Sequence, residues 1–373
     1  MSFYITDLVG ERVNALEEYA PEPPSAVAQR LGLPVGQLIK LDANENPYGP
    51  TQAAQNALSA FRGYHQYPDA VSRDLRAALG DYLAVDPSTI IVGNGSDELI
   101  DLILRLFRPG LQGGGIGQVI DCPPTFGMYS LYAAANDMDC IRFERDAAFG
   151  LDIEAIASYC EQDPRPKVIY VTSPNNPDGK LLPEEQLLRL LELPLLVVLD
   201  EAYVEFSGGS RVAWVAERQN LIVLRTFSKW AGLAGLRVGY GVFPKVLMPA
   251  VWRIKAPYNV NVAAQVGALA TLRDVEAAQA NIRRIVSERD ALAERLAGVR
   301  YLEVFRGSQA NFVLVRVRDV PIAEVRAAME ARGIILRYYG PGPLQDCVRI
   351  SVGTPMQDAA VLMVLRELGA SLA

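Results

Sequence analysis

The sequence predicts an α/β protein: a mainly parallel sheet with helices on both faces, followed by a smaller α+β unit. Two observations carry the prediction. From about residue 70 onward, short runs rich in Val, Ile and Leu alternate with amphipathic stretches, at a spacing that suits strand–helix–strand crossovers. After a long helical pattern over residues 260–297, four more strand-like runs are interleaved with two helical ones. Half of the 373 residues are hydrophobic, which is enough for two domains or one large one.

Residues 1–40 are polar and Pro-rich around PEPPS, more like an arm with a short helix than a core segment. STIIVG is a strand that leads into a helix beginning near Ser96. QVIDC, CIRFE, KVIYVTS, LLVVLDE, LIVLRT and RVGYGV follow as short strands, with DIEAIASYCEQ and PEEQLLRLLEL as amphipathic helices between some of them. Residues 260–297 carry charges on one face and read as one long helix ending near Gly298. YLEVF, NFVLVRV, GIILRYY and CVRISVG then alternate with PIAEVRAAMEARG and PMQDAAVLMVLRELG. The expected organisation is an arm and part of the small domain over 1–45, a large domain over 46–270, and a small C-terminal domain over 271–373. GGGIG at 113–117 precedes a strand instead of opening a helix, so it reads as a turn and not as a dinucleotide fingerprint.

Composition excludes several functions. A net charge of −7 argues against nucleic acid or an anionic membrane as partner. No apolar run reaches spanning length, and the N-terminus lacks a basic region followed by an apolar one, so a cytoplasmic protein is expected. Cys122, Cys140, Cys160 and Cys347 are scattered without CxxC spacing, and His65 is the only histidine. Reduced thiols and no metal site are the expectation. One histidine without a nucleophile elbow also argues against Ser-His-Asp chemistry.

Four polar stretches, NGSDE (94–98), SPNNPDG (173–179), DEAY (200–203) and TFSK (226–229), interrupt this apolar pattern. The first opens a helix, and the others end strands. In an open α/β sheet the C-terminal ends of parallel strands share one rim, where ligands bind. Gly95, Ser96 and Asp97 would offer backbone N–H groups at a helix N-terminus to a phosphate, with Ser228 and Arg237 beside them. Asp200 would keep its charge only beside a cation, such as a protonated ring nitrogen. Tyr203 and Asn175 could hydrogen-bond a phenolate oxygen, and Phe126 could stack on an aromatic ring. Lys229 is an amine in a chain richer in arginine, and an amine can lose its proton and attack a carbonyl. Taken singly, each has an ordinary explanation: a cap, a turn, a core ring, a surface cation. Together they describe the phosphate, ring nitrogen, phenolate and aldehyde of pyridoxal 5′-phosphate, PLP.

With LDANENPYGP (41–50), YHQYPD (64–69), VGNGSDELI (92–100) and ILRYY…CVRISVG (335–353), this set resembles the histidinol-phosphate aminotransferases, PLP-dependent transferases of fold type I. The resemblance runs almost end to end and implies a large domain with a mainly parallel seven-stranded sheet plus a smaller α+β domain. It implies that Lys229 carries PLP covalently, that Asp200 pairs with the ring nitrogen, and that Tyr203 and Asn175 bind the ring hydroxyl. Gly95, Ser96, Asp97, Ser228 and Arg237 would surround the cofactor phosphate. Tyr67 would reach the cofactor of a neighbouring subunit, which makes a homodimer the expected assembly. Tyr19, Asn44, Arg337 and Arg349 would line the substrate pocket. Two positions depart from the family: Phe126 stands where Tyr is common, and Trp230-Ala231 follows the lysine where Ala-Phe is familiar.

The implied reaction interconverts L-histidinol phosphate plus 2-oxoglutarate with imidazole-acetol phosphate plus L-glutamate, a step of histidine biosynthesis. Two other enzymes share the scaffold: an aromatic amino acid aminotransferase and a PLP-dependent decarboxylase of phosphothreonine. A PLP-binding regulator would need a DNA-binding module, for which no segment is evident. An NAD-dependent oxidoreductase lacks its glycine fingerprint.

Overall fold

The structure is a computed structural model that describes residues 4–16, 18, 20–107, 117–165 and 167–370. Tyr19 and residues 113–116 of the GGGIG stretch lie outside the described residues.

Strand β1 (Ile39–Leu41) belongs to the smaller of two sheets. The seven apolar runs expected as strands all form: β2 (Ile90–Gly93), β3 (Gln118–Asp121), β4 (Asp139–Arg142), β5 (Lys167–Thr172), β6 (Leu196–Asp200), β7 (Leu221–Thr226) and β8 (Gly239–Val242). They make one seven-stranded sheet in the order β2-β8-β7-β6-β5-β3-β4. β3 to β7 are mutually parallel, and β8 runs antiparallel between β7 and β2. Strands with no exposed position must be covered twice, and alternate residues go to opposite cores. Ile169, Val171, Val197 and Leu199 join one apolar cluster, while Val168, Tyr170 and Val198 join the other. The helix Ser96–Phe107 covers the second face with Leu99, Ile100 and Ile103.

The smaller sheet adds β9 (Leu302–Phe305), β10 (Phe312–Val317), β11 (Ile334–Tyr338) and β12 (Cys347–Ser351), in the order β1-β11-β12-β10-β9. Its core unites Val313, Val315, Val348 and Ile350 with Val361 and Leu365 of the helix Pro355–Ala370.

One expectation needs correction. The stretch 260–297 is two helices, Val262–Arg273 and Val275–Ala297, broken at Asp274 with φ −128° and ψ 48°. Asp competes poorly for helical conformation, and the two pieces have different neighbours. The first packs on the helices Gln52–Ala60 and Arg73–Leu83, and the second on β9, β10 and the helix Pro355–Ala370. The N-terminal stretch contributes a strand to the small sheet. After the helix Pro24–Leu31, Ile39 pairs in parallel with Ile334, so β1 extends the small sheet.

Candidate active site

The C-terminal ends of β5, β6 and β7 and the turn after β2 face a cavity of about 350 Å³, lined by Ser96, Asp97, Phe126, Asp200, Tyr203, Ser228, Lys229 and Arg237 among others. The turn after β2 is made possible by two glycines. Gly95 has φ +79°, and a Cβ there would sit 2.7 Å from Arg237 Nη2. Gly239, where β8 starts, lies so close that a Cβ would come within 2.4 Å of the Ser96 nitrogen. The start of the helix Ser96–Phe107 is thus set against the start of β8. Arg237 adopts a left-handed conformation with φ 53°, and its Nη2 lies 2.7 Å from Asp97 Oδ2. Ser228 is buried, with its N–H donating to Thr226 Oγ1 at 3.1 Å.

Asp200, the last residue of β6, is buried. The Tyr129 hydroxyl donates to its Oδ2 at 2.7 Å and the Ala202 N–H to its Oδ1 at 3.0 Å. No cation pairs with it among the described residues, and burial pushes its carboxyl up to about 6. Half-buried Lys229 donates to the Ala43 carbonyl at 2.8 Å. Burial brings its pKa down to about 8, and the charge of Arg349 acts in the same direction. Tyr203 accepts from Asn44 Nδ2 at 3.0 Å and packs edge-on against Phe312 at 5.2 Å. Asn44 is locked from the small sheet, because its N–H donates to Ser351 Oγ at 2.9 Å and Asn311 Nδ2 donates to its carbonyl at 2.9 Å.

A wider cleft of about 680 Å³ opens from this cavity and shares Phe126, Tyr203 and Lys229 with it. Arg337 and Arg349 line it together with Asn44. Arg349 is buried: its Nη1 donates to Asn176 Oδ1 at 2.5 Å, its Nη2 donates to the Asp42 carbonyl, and its Nε has no acceptor. Arg337 is exposed and forms no ion pair among the described residues.

Comparisons with known proteins agree with this geometry. The family described as aminotransferase class I and II matches residues 36–366. The chain belongs to the class I and II aminotransferases. It is 46% identical to the histidinol-phosphate aminotransferase of Roseiflexus castenholzii, over 97% of this chain and 98% of that one. It is 45% identical to the chloroplastic histidinol-phosphate aminotransferase of Nicotiana plumbaginifolia, over 94% of this chain and 84% of that one. Among solved structures, the histidinol-phosphate aminotransferase of Sinorhizobium meliloti in complex with pyridoxal-5′-phosphate is similar with a TM-score of 0.85 and 26% identity, each chain covered to 98%. The fold is that of the fold-type I aminotransferases.

Two residues singled out in the sequence stand apart from the cavity of this aminotransferase. The buried Asn175 turns its amide nitrogen to Asp178 Oδ1 at 2.5 Å and to the Pro124 carbonyl at 3.3 Å. Tyr67 is 83% exposed and stacks on Tyr258 at 4.7 Å, away from the cavity lining. Sequence reasoning missed Tyr129, Thr172 and Asn176. Tyr129 reaches Asp200 across 71 positions of chain, and Asn176 reaches Arg349 across 173, so no local pattern announces them. Trp230 is buried, its ring stacked on Tyr82 at 5.8 Å, so the unfamiliar residue after the lysine packs into the core behind it.

Proposed function

We propose that this aminotransferase moves an amino group between L-histidinol phosphate and 2-oxoglutarate, giving imidazole-acetol phosphate and L-glutamate, with pyridoxal 5′-phosphate as cofactor. The observation that carries the reading is the convergence of a depressed lysine, a buried uncompensated aspartate and an Arg-flanked helix N-terminus on one cavity. The activity named for relatives at 45–46% identity supports the substrate.

The residues present fit the cofactor on three grounds. Asp200 is a buried acid without a cation among the described residues, and a protonated ring nitrogen would supply one. The Tyr203 hydroxyl accepts from Asn44, so its own hydrogen stays available for a ring oxygen. Gly95 leaves the backbone bare beside Arg237, where a phosphate would meet the Ser96 N–H and the Ser228 hydroxyl.

When bound, the cofactor supplies an aldehyde that bonds an amine and a cationic ring that accepts electron density from the adjacent carbon. This chain's residues do the rest. Asp200 holds the proton on the ring nitrogen. Phe126 lies beside the ring's place, its own ring 5.6 Å from that of Tyr129. Lys229 anchors the cofactor. Once freed, its Nζ would take the proton from the donor's Cα and return it to the carbon on the other side of the donor's nitrogen, two atoms on. A pKa near 8 leaves part of the amine neutral near pH 7, as a general base requires. Arg349 and Arg337 receive the anionic end of the donor, phosphate or carboxylate.

The working unit is a homodimer in which Tyr67, with its exposed ring, reaches the cofactor phosphate of the neighbouring subunit. The cytoplasm suits its four free cysteines. Among the described residues no helix is long and apolar enough to cross a membrane. The test is a panel of donors added to the PLP-loaded enzyme: histidinol phosphate, phenylalanine, tyrosine and phosphothreonine. Histidinol phosphate should bleach the cofactor's visible band fastest. A faster aromatic donor would favour the aromatic aminotransferase, and carbon dioxide released from phosphothreonine would favour the decarboxylase.

A further inference from the structure

Six side chains beneath the cleft form an unbroken line of polar contacts. Asp200 Oδ2 lies 2.7 Å from the Tyr129 hydroxyl, which lies 2.8 Å from Thr172 Oγ1. Thr172 Oγ1 is 3.2 Å from Thr125 Oγ1, which is 3.0 Å from Asn175 Oδ1. The far side of the Asn175 amide meets Asp178 Oδ1 at 2.5 Å. All of these residues except half-buried Thr125 are buried.

The hydrogens along this line do not add up if both acids are ionised. Each of the five contacts needs one hydrogen. The three hydroxyls carry one each, and the amide can donate at only one of its two ends. That makes four, so one contact is left without a hydrogen. The 3.2 Å between Thr125 and Thr172 exceeds the usual O–H···O range. A proton on either carboxyl closes the line. On Asp200, it leaves every hydroxyl donating towards Asn175 and the amide as it stands. On Asp178, it reverses the three hydroxyls and turns the Asn175 amide half around, which gives up the amide's 3.3 Å contact to the Pro124 carbonyl, so that Tyr129 donates to an ionised Asp200.

We propose that Asp178 is a positioning residue for Asp200: the two buried carboxyls share one proton through Asn175, Thr125, Thr172 and Tyr129, and its location decides which acid is charged. The sharing rests on the geometry of the line. Its use, an ionised Asp200 beneath a cationic ring, rests on the functional reading above. The surroundings set the balance. Burial raises the Asp200 carboxyl, Asp97 and Glu201 add like charge, and the Tyr129 hydroxyl and the Ala202 N–H oppose them. Burial raises Asp178 too, against Asn175, Arg145 and the Lys180 N–H. Arg145 near Asp178 therefore favours the proton on Asp200 in the cofactor-free chain. A cation above Asp200 moves it to Asp178.

The test titrates the full-length, cofactor-free chain, with ¹³C-labelled aspartate carboxyls read by NMR and Asp200 assigned through Asp200→Asn. Asp178→Asn puts a permanent donor at the far end of the line, so the midpoint of Asp200 should fall by about one pH unit or more. In a Thr172→Val background the line is cut and no contact lacks a hydrogen, so Asp178→Asn should leave that midpoint in place. Thr125→Val cuts the same line if Thr172→Val does not fold. No shift with the line intact, or an equal shift with it cut, would overturn the proposal, the latter because repulsion through space would then suffice. Failure of the functional reading would appear separately, as no visible band on adding PLP.

Discussion

Arg337 and Arg349 stand directly opposite each other on the antiparallel strands β11 and β12. Like charges in that register repel, so the pair suits an anion held between them. Arg337→Ala should lower kcat/KM for histidinol phosphate by a factor of about 30 to 1000, the cost of one charge-assisted contact to a dianion. Phenylalanine, whose carboxylate falls to Arg349, should change only a few-fold. Arg349→Ala should damage both donors and the glutamate half-reaction. Half-reaction titrations of each mutant with both donors check this, and equal losses in Arg337→Ala would remove its role as the phosphate anchor.

Lys229 makes three predictions. Borohydride reduction of the PLP-loaded protein followed by peptide mapping should label this lysine and no other. Lys229→Ala should retain PLP through the phosphate contacts yet fail to turn over. In the cofactor-free chain, the unfolded state binds more protons than the folded one between about 8 and 10.5. Stability linked to this amine is therefore fully present above 10.5 and lost as pH falls through 8. Thermal melts of Lys229→Met should lack the wild-type rise across that window. Parallel curves would show that the amine is not depressed.

Asp200→Asn separates stability from function. Its raised carboxyl contributes stability below 3.8 that is lost as pH rises through about 6. The cofactor-free mutant should thus melt higher than wild type near pH 7, while activity falls by several orders of magnitude. Near-normal half-reaction rates would make Asp200 a structural residue only.

Tyr67→Phe should weaken retention of PLP in the neighbouring subunit. A hybrid of Tyr67→Phe and Lys229→Ala subunits then has one site with both lesions and one with neither, and should keep about half of the wild-type activity per dimer. If Tyr67 serves its own subunit, the hybrid keeps no more than half of the Tyr67→Phe activity.

The large sheet was legible because its buried strands are continuous apolar runs such as KVIYVT and LIVLRT. The polar residues ending them drew attention to the rim for the same reason: a core has no use for Asp200 or Lys229. β1 escaped notice because three residues with a lysine in the middle carry no strand signal. The opposition of Arg337 and Arg349 depends on strand register, which spacing alone does not give. Asn175 and Asp200 drew attention singly, but the line from Asp178 to Asp200 joins stretches that are far apart in the chain, so neither its course nor its missing hydrogen could be read from the sequence.

The most direct measurement follows histidinol phosphate and 2-oxoglutarate with the purified, PLP-loaded enzyme. The account predicts one L-glutamate formed per imidazole-acetol phosphate, no carbon dioxide, and a kcat/KM for histidinol phosphate well above that for phenylalanine. Consumption of histidinol phosphate without matching glutamate, or a preference for phenylalanine, would contradict it.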